Sequence, residues 1–100
     1  MTRITLRPFG GSGPSVTQVG LGGEGVLRTY GRENEAQAVI EEAAAQGITY
    51  FDTAQAYSGS QGYYGSFWQS RANLRQAVFQ TSKSAERSYA GAMADLKDSL

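Results

Sequence analysis

Cysteine and histidine are both absent from the 100 residues. Disulfides, thiolate nucleophiles and the usual zinc-ligand sets are therefore excluded. Charge of one sign is lacking as well. Nine basic residues balance nine acidic ones, for a net charge of zero, so no electrostatic footprint for nucleic acid or a membrane surface is present. No run approaches the ~20 apolar residues needed to span a bilayer. The opening MTRITLRPFG has no apolar h-region and does not read as a secretory signal. These absences set the expectation of a soluble, cytoplasmic protein. Large apolar residues are scarce too, with Leu, Ile, Val and Phe totalling 18. With zero net charge this is not the signature of disorder. It points to a modest core in one domain at most, with part of the packing surface missing from this segment.

What is present has a βα rhythm. Residues 3–9 and 15–19 are short β-prone runs on either side of GGSGP at 10–14, the pattern of a hairpin. Val16–Leu21 continues as a strand into a glycine loop, and 26–33 is irregular. From Asn34 the period becomes helical, with Ala36, Val39, Ile40, Ala43 and Ala44 on one face. Gly47 sits where a glycine closes a helix. Ile48–Phe51 reads as a strand buried on both faces, and 53–65 as a polar loop. Residues 66–76 suggest a helix with a weak apolar face. Val78–Thr81 is a further strand. Tyr89, Met93, Leu96 and Leu100 mark a last helical stripe, with Ser88 as its N-cap. A hairpin followed by β-α-β-α-β-α predicts an α/β fold with a parallel sheet.

Three chemically interesting features share one address in such a fold. Gly22, Gly23 and Glu24 follow the first parallel strand, Asp52 closes the second, and Lys83 closes the third. The C-terminal strand ends of parallel α/β folds form the rim that carries function. Tyr57 lies in the loop after Asp52. Together they outline a proton-transfer site. A phenol is a poor acid at neutral pH, with a reference pKa near ~10. A neighbouring ammonium favours the phenolate, and a carboxylate would hold that ammonium in place. A phenol tuned in this way can protonate a developing alkoxide. Each residue alone has a plainer reading. Asp52 could form a turn or a cap, Tyr57 could be partial packing, and Lys83 could be a solvated charge. Tyr63, Tyr64 and Trp68 read as packing rather than as a substrate cage. Another motif competes: Gly20-Leu21-Gly22-Gly23-Glu24-Gly25 fits the G-x-G-x-x-G dinucleotide fingerprint, with Asp52 as its ribose acid. That reading needs a helix to open within the motif and an acid about ~20 residues on. Here VLRTYGR intervenes, and Asp52 comes later.

The residues resemble those of a known family. RPFGGSGPSVTQVGLGGEG is similar to the opening hairpin and first strand of bacterial aldo-keto reductases, GITYFDTAQAYSGS to their second strand and loop, and VFQTSKS to their third strand. The resemblance implies the N-terminal portion, a hairpin plus three βα units, of a TIM (β/α)₈ barrel. It implies hydride transfer from NADPH, or in some members NADH, to an aldehyde or ketone. Tyr57 would be the proton donor, Lys83 would lower its pKa, and Asp52 would pair with Lys83. Gly22, Gly23, Glu24 and Asp52 would lie along the nicotinamide-ribose. The family's fourth catalytic residue, a histidine on the fourth strand, has no counterpart here. A full barrel takes ~250 residues, so the expectation is a truncated segment that does not turn over alone. Its partner would be a small-molecule carbonyl substrate, and the segment itself would tend to self-associate. Two rivals stand beside this reading: a non-catalytic α/β module that binds a partner or assembles with itself, and a Rossmann-type binding unit.

Overall fold

The computed structural model describes residues 3–100. Strands β1 (Leu6–Pro8) and β2 (Ser15–Thr17) pair antiparallel, with Leu6 opposite Thr17 and Pro8 opposite Ser15. The turn between them is closed by the Phe9 amide, which donates to the Pro14 carbonyl at 2.9 Å. The strand expected over Val16–Leu21 is not continuous. β2 ends at Thr17, and the chain bends before Leu21 forms a parallel bridge to Phe51. The bend is where an antiparallel hairpin hands over to a parallel sheet. Gly20 lies against β3 (Tyr50–Asp52) there; a Cβ would sit 2.9 Å from the Tyr50 carbonyl oxygen. Thr17 and Thr49 exchange amide-to-hydroxyl bonds at 3.1 and 3.2 Å and tie the hairpin to the foot of β3.

Helix α1 (Glu33–Ala45) buries Ala36, Ile40 and Ala43 from the expected face. It ends in a Schellman motif. Gly47 adopts φ +95°, its amide bonds the Ala44 carbonyl at 3.0 Å, and the Ile48 amide reaches the Ala43 carbonyl at 3.1 Å. The chain then enters β3, which pairs in parallel with β4 (Phe79–Thr81), Asp52 standing opposite Thr81. With the Leu21 bridge on the other side of β3, three segments run parallel in sequence order.

The segment between β3 and β4 departs from expectation. The polar loop is shorter than 53–65, because α2 (Ser60–Ser70) begins at Ser60, and the helix expected over 66–76 is interrupted at Arg71 before a short α3 (Ala72–Arg75). The apolar face of α2 is strong. Tyr63, Tyr64, Phe67 and Trp68 are all buried, as packing residues. They meet Phe51 from the outer face of β3 and Leu27 and Ile40 from the neighbouring segments. Phe51 makes edge-to-face contacts with Trp68 at 5.3 Å and Tyr64 at 6.0 Å between centroids. The Trp68 indole satisfies its N–H on Gln80 Oε1 at 2.8 Å.

Helix α4 (Tyr89–Ser99) has the expected N-cap, with the Ser88 hydroxyl accepting from the Gly91 amide at 3.0 Å. Its apolar stripe is largely open to solvent. Tyr89 is 83% exposed, Leu96 51% and Leu100 96%, because no described element covers that face.

Candidate active site

Side chains alternate along a strand. Phe51 therefore enters the core under α2 while its neighbours Tyr50 and Asp52 turn to the opposite face of the sheet. On β4, Phe79 and Thr81 share that face with them. Phe9, Tyr50 and Phe79 close its lower end with ring centroids 4.6–5.9 Å apart. The strand pairing continues beyond the regular strands. The Thr53 amide bonds the Thr81 carbonyl at 3.0 Å, and the Gln55 amide bonds the Lys83 carbonyl at 2.9 Å. This continuation delivers Lys83 beside Asp52.

Lys83 Nζ donates to Asp52 Oδ1 at 2.7 Å, to Asp52 Oδ2 at 2.6 Å and to the Thr53 carbonyl at 2.9 Å. An ammonium has three N–H donors, and these three acceptors match them. The Thr81 hydroxyl donates a further bond, of 2.5 Å, to Asp52 Oδ1. Partial burial works against the Lys83 charge, but the hydrogen bond and field of Asp52, helped by Tyr57, outweigh it and raise the lysine pKa above its ordinary value. Lys83 Nζ also lies over the Tyr57 ring, 5.1 Å from its centroid. Tyr57 is held in its loop by two backbone bonds, its amide to the Ala54 carbonyl at 3.1 Å and its carbonyl from the Ser60 amide at 2.8 Å. Asp52, Tyr57 and Lys83 thus form one contiguous cluster at the C-terminal strand ends.

The glycine loop divides three ways. Gly22 faces open space and, with Gly20, Leu21, Tyr50 and Asp52, lines a shallow depression of about 390 Å³. Gly23 is buried beneath the rim, where an added Cβ would collide with the Ser60 hydroxyl and approach the Asp52 carbonyl oxygen to 2.7 Å. Glu24 turns away and pairs with Arg28 at 3.1 Å. Past Gly25 the chain makes a single 3₁₀ turn over Gly25–Leu27, and α1 starts at Glu33. The glycine motif therefore does not open a helix, as a dinucleotide fingerprint of the Rossmann type requires.

Two neighbours were not evident from sequence. Arg28 places its guanidinium carbon 5.1 Å from the Tyr57 centroid; it arrives from an irregular segment that carries no periodic signal. Thr81, read only as a strand residue, binds the carboxylate. Tyr64 is a second phenol near Asp52, but burial first and the Asp52 charge second push its pKa far above the usual phenol range. It stays protonated and donates to the Leu21 carbonyl at 3.3 Å. Among the described residues no group of His, Cys, Asp and Glu could hold a metal ion, and no helix is long and apolar enough to cross a membrane.

The parallel sheet thus carries an acid–ammonium–phenol cluster at its strand ends. The chain belongs to the aldo/keto reductase family, whose model it matches over residues 18–100. Over 62 residues, 60% of this chain, it is 39% identical to an L-galactose dehydrogenase of Arabidopsis thaliana, a match that covers 19% of that protein. Two solved structures assigned to an aldo-keto reductase of Pseudomonas aeruginosa superpose with a TM-score of 0.75 at 26% identity. They cover 95% of this chain and 40% and 41% of their own. The chain thus spans well under half the length of these relatives.

Proposed function

We propose that these residues form the proton-delivering wall of an NAD(P)H-dependent carbonyl reductase built on a (β/α)₈ barrel, to which they would contribute the hairpin and first three βα units. The observation that carries this reading is Lys83 Nζ held on both oxygens of Asp52 while lying over the Tyr57 ring. Asp52 keeps Lys83 charged and fixed. The Tyr57 hydroxyl, beside the Lys83 ammonium, would donate its proton to a developing alkoxide. In the oxidative direction the Tyr57 phenolate oxygen takes the proton from the alcohol.

The depression beside Asp52 fits one edge of a nicotinamide-ribose. It has a carboxylate that accepts hydroxyl hydrogen bonds and a glycine, Gly22, with free space where a side chain would stand. Gly22 and Asp52 would border the cofactor, Gly23 would support the rim from below, and Glu24 would act through Arg28. The cofactor, when bound, supplies the hydride. NADPH is the proposed donor, with NADH the alternative. The substrate class is small aldehydes and ketones, and the site is cytoplasmic.

Substitution of Tyr57 in the full gene product tests this reading. Tyr57→Phe should lower kcat by about 10²–10⁴-fold, the usual contribution of a general acid. NADPH affinity, followed by fluorescence titration, should change little, because the hydroxyl acts on the carbonyl oxygen. A kcat near wild type in Tyr57→Phe would remove Tyr57 from the mechanism.

A further inference from the structure

The Tyr57 ring has two cations over it, not one. Lys83 Nζ and Arg28 Cζ each lie 5.1 Å from its centroid. They come from different parts of the fold, Lys83 from the end of β4 and Arg28 from the turn that follows the glycine loop. The three N–H donors of Lys83 point at Asp52 and the Thr53 carbonyl. Its hold on Tyr57 is by charge and a weaker side-chain hydrogen bond to the phenol, and neither fixes the tilt of the ring. Tyr57 also needs fixing. It is half-buried, it sits in a loop, and the next residue, Ser58, has φ +36°, in the left-handed region that non-glycine residues seldom adopt.

Arg28 is built to supply that hold. Its neighbour Leu27 is 1% exposed and anchors the turn in the core. Its own amide bonds the Gly25 carbonyl at 3.1 Å, and Gly25 takes φ +69° to make the turn. Glu24 then steadies the guanidinium at 3.1 Å. A guanidinium is planar, weakly hydrated and well suited to lie on an aromatic face. We propose that Arg28 is a positioning residue for Tyr57: it orients the phenol ring through a cation–π contact and is itself aimed by Glu24. This gives the glycine loop a second task, delivering Arg28 to the proton donor. The proposal rests on the reading of Tyr57 as that donor.

The test has one arm that needs no activity and one that does. In the full gene product labelled at arginine and tyrosine, nuclear Overhauser contacts should appear between the Arg28 side-chain protons and the Tyr57 ring protons, and should weaken in Glu24→Gln. In carbonyl reduction, Arg28→Met should lower kcat by about threefold to thirtyfold, the reach of one cation–π contact, with KM for the carbonyl little changed. The solvent isotope effect on kcat should rise, because proton donation becomes harder. Arg28→Lys, which keeps the charge but not the planar fork, should recover part of the loss. Arg32→Met, which removes a charge that pairs with Glu35 at 2.9 Å, should leave kcat as it is. Absence of the Overhauser contacts, a wild-type kcat in Arg28→Met, or an Arg28→Lys variant no better than Arg28→Met would each overturn the proposal. A Tyr57→Phe variant that keeps its kcat would instead sink the proton-donor reading, and the Overhauser contacts would then report on the ring's positioning alone.

Discussion

Lys83 spans both oxygens of Asp52, at 2.7 and 2.6 Å, across two neighbouring parallel strands rather than within one loop. The pair therefore reports on the register of the sheet as well as on local charge. Slipping β4 by one residue would turn Lys83 to the opposite face and dissolve the cluster.

The ion pair has a pH signature with a definite sign. Asp52 raises the Lys83 pKa above its ordinary 10.5, so the folded chain holds that proton more tightly than the unfolded one. The pair's stabilisation is complete below pH 10.5 and is lost as the pH climbs through the folded value. Both side chains are partly open, 49% exposed for Lys83 and 34% for Asp52, so solvent screening keeps the effect under about 1 kcal/mol. Urea unfolding midpoints measured from pH 8 to pH 11.5 should fall at the alkaline end, and Lys83→Met should flatten that fall. An identical alkaline slope in both proteins would show that the pair does not persist in solution.

Gly22 and Gly23 should respond oppositely to the same substitution. Gly22→Ala places its methyl in open space and should leave the melting temperature almost unchanged. Under the proposed function it should weaken NADPH binding. Gly23→Ala drives a methyl into the Ser60 hydroxyl and toward the Asp52 carbonyl oxygen. Overpacking of this kind costs about 1–3 kcal/mol. Differential scanning calorimetry with NADPH titration separates the two; equal destabilisation by both variants would contradict the packing of the loop.

The parts of this fold that announce themselves in sequence are those with a strict period or a special backbone need. The face of α1 repeats at 3.6 residues, and Gly47 ends it because the Schellman turn requires a positive φ. Asp52 and Lys83 could be assigned to one rim because both close parallel strands. The start of α2 was hidden because Ser60, Gly62, Gly65 and Ser66 have the composition of a loop. Burial of Tyr63, Tyr64, Phe67 and Trp68 overrides that local preference. The break at Thr17 was hidden because β-propensity does not distinguish one strand from two joined by a bend. Arg28 reaches Tyr57 through tertiary packing of an aperiodic turn, which no local pattern encodes.

Phe51 is fully buried and touches both Tyr64 and Trp68, so it joins the sheet to α2. Phe51→Ala should cost about 3–5 kcal/mol. That is a large share of the ~5–15 kcal/mol by which whole domains are stable. Phe51→Leu should cost less than Phe51→Ala, because most of the apolar volume is kept while the two edge-to-face contacts are lost. Denaturant melts followed by Trp68 fluorescence give both values. A mild Phe51→Ala would mean that the aromatic cluster is loosely packed.

The 100-residue chain by itself should self-associate. Tyr89 and Leu96 of α4 and Leu100 at its C-cap stand 83%, 51% and 96% exposed. On the hairpin side Leu6 and Val19 are 58% and 56% exposed. β4 pairs with β3 on one edge, and no described strand covers its other edge. An uncovered strand edge beside apolar surface favours pairing with another chain. Sedimentation velocity over a range of concentrations should show weight-average mass rising with concentration. Leu96→Lys together with Leu100→Lys should reduce the association without lowering the melting temperature, since neither residue enters the core. A concentration-independent monomer with a sharp cooperative melt would show that the exposed stripe and open edge are tolerated in water.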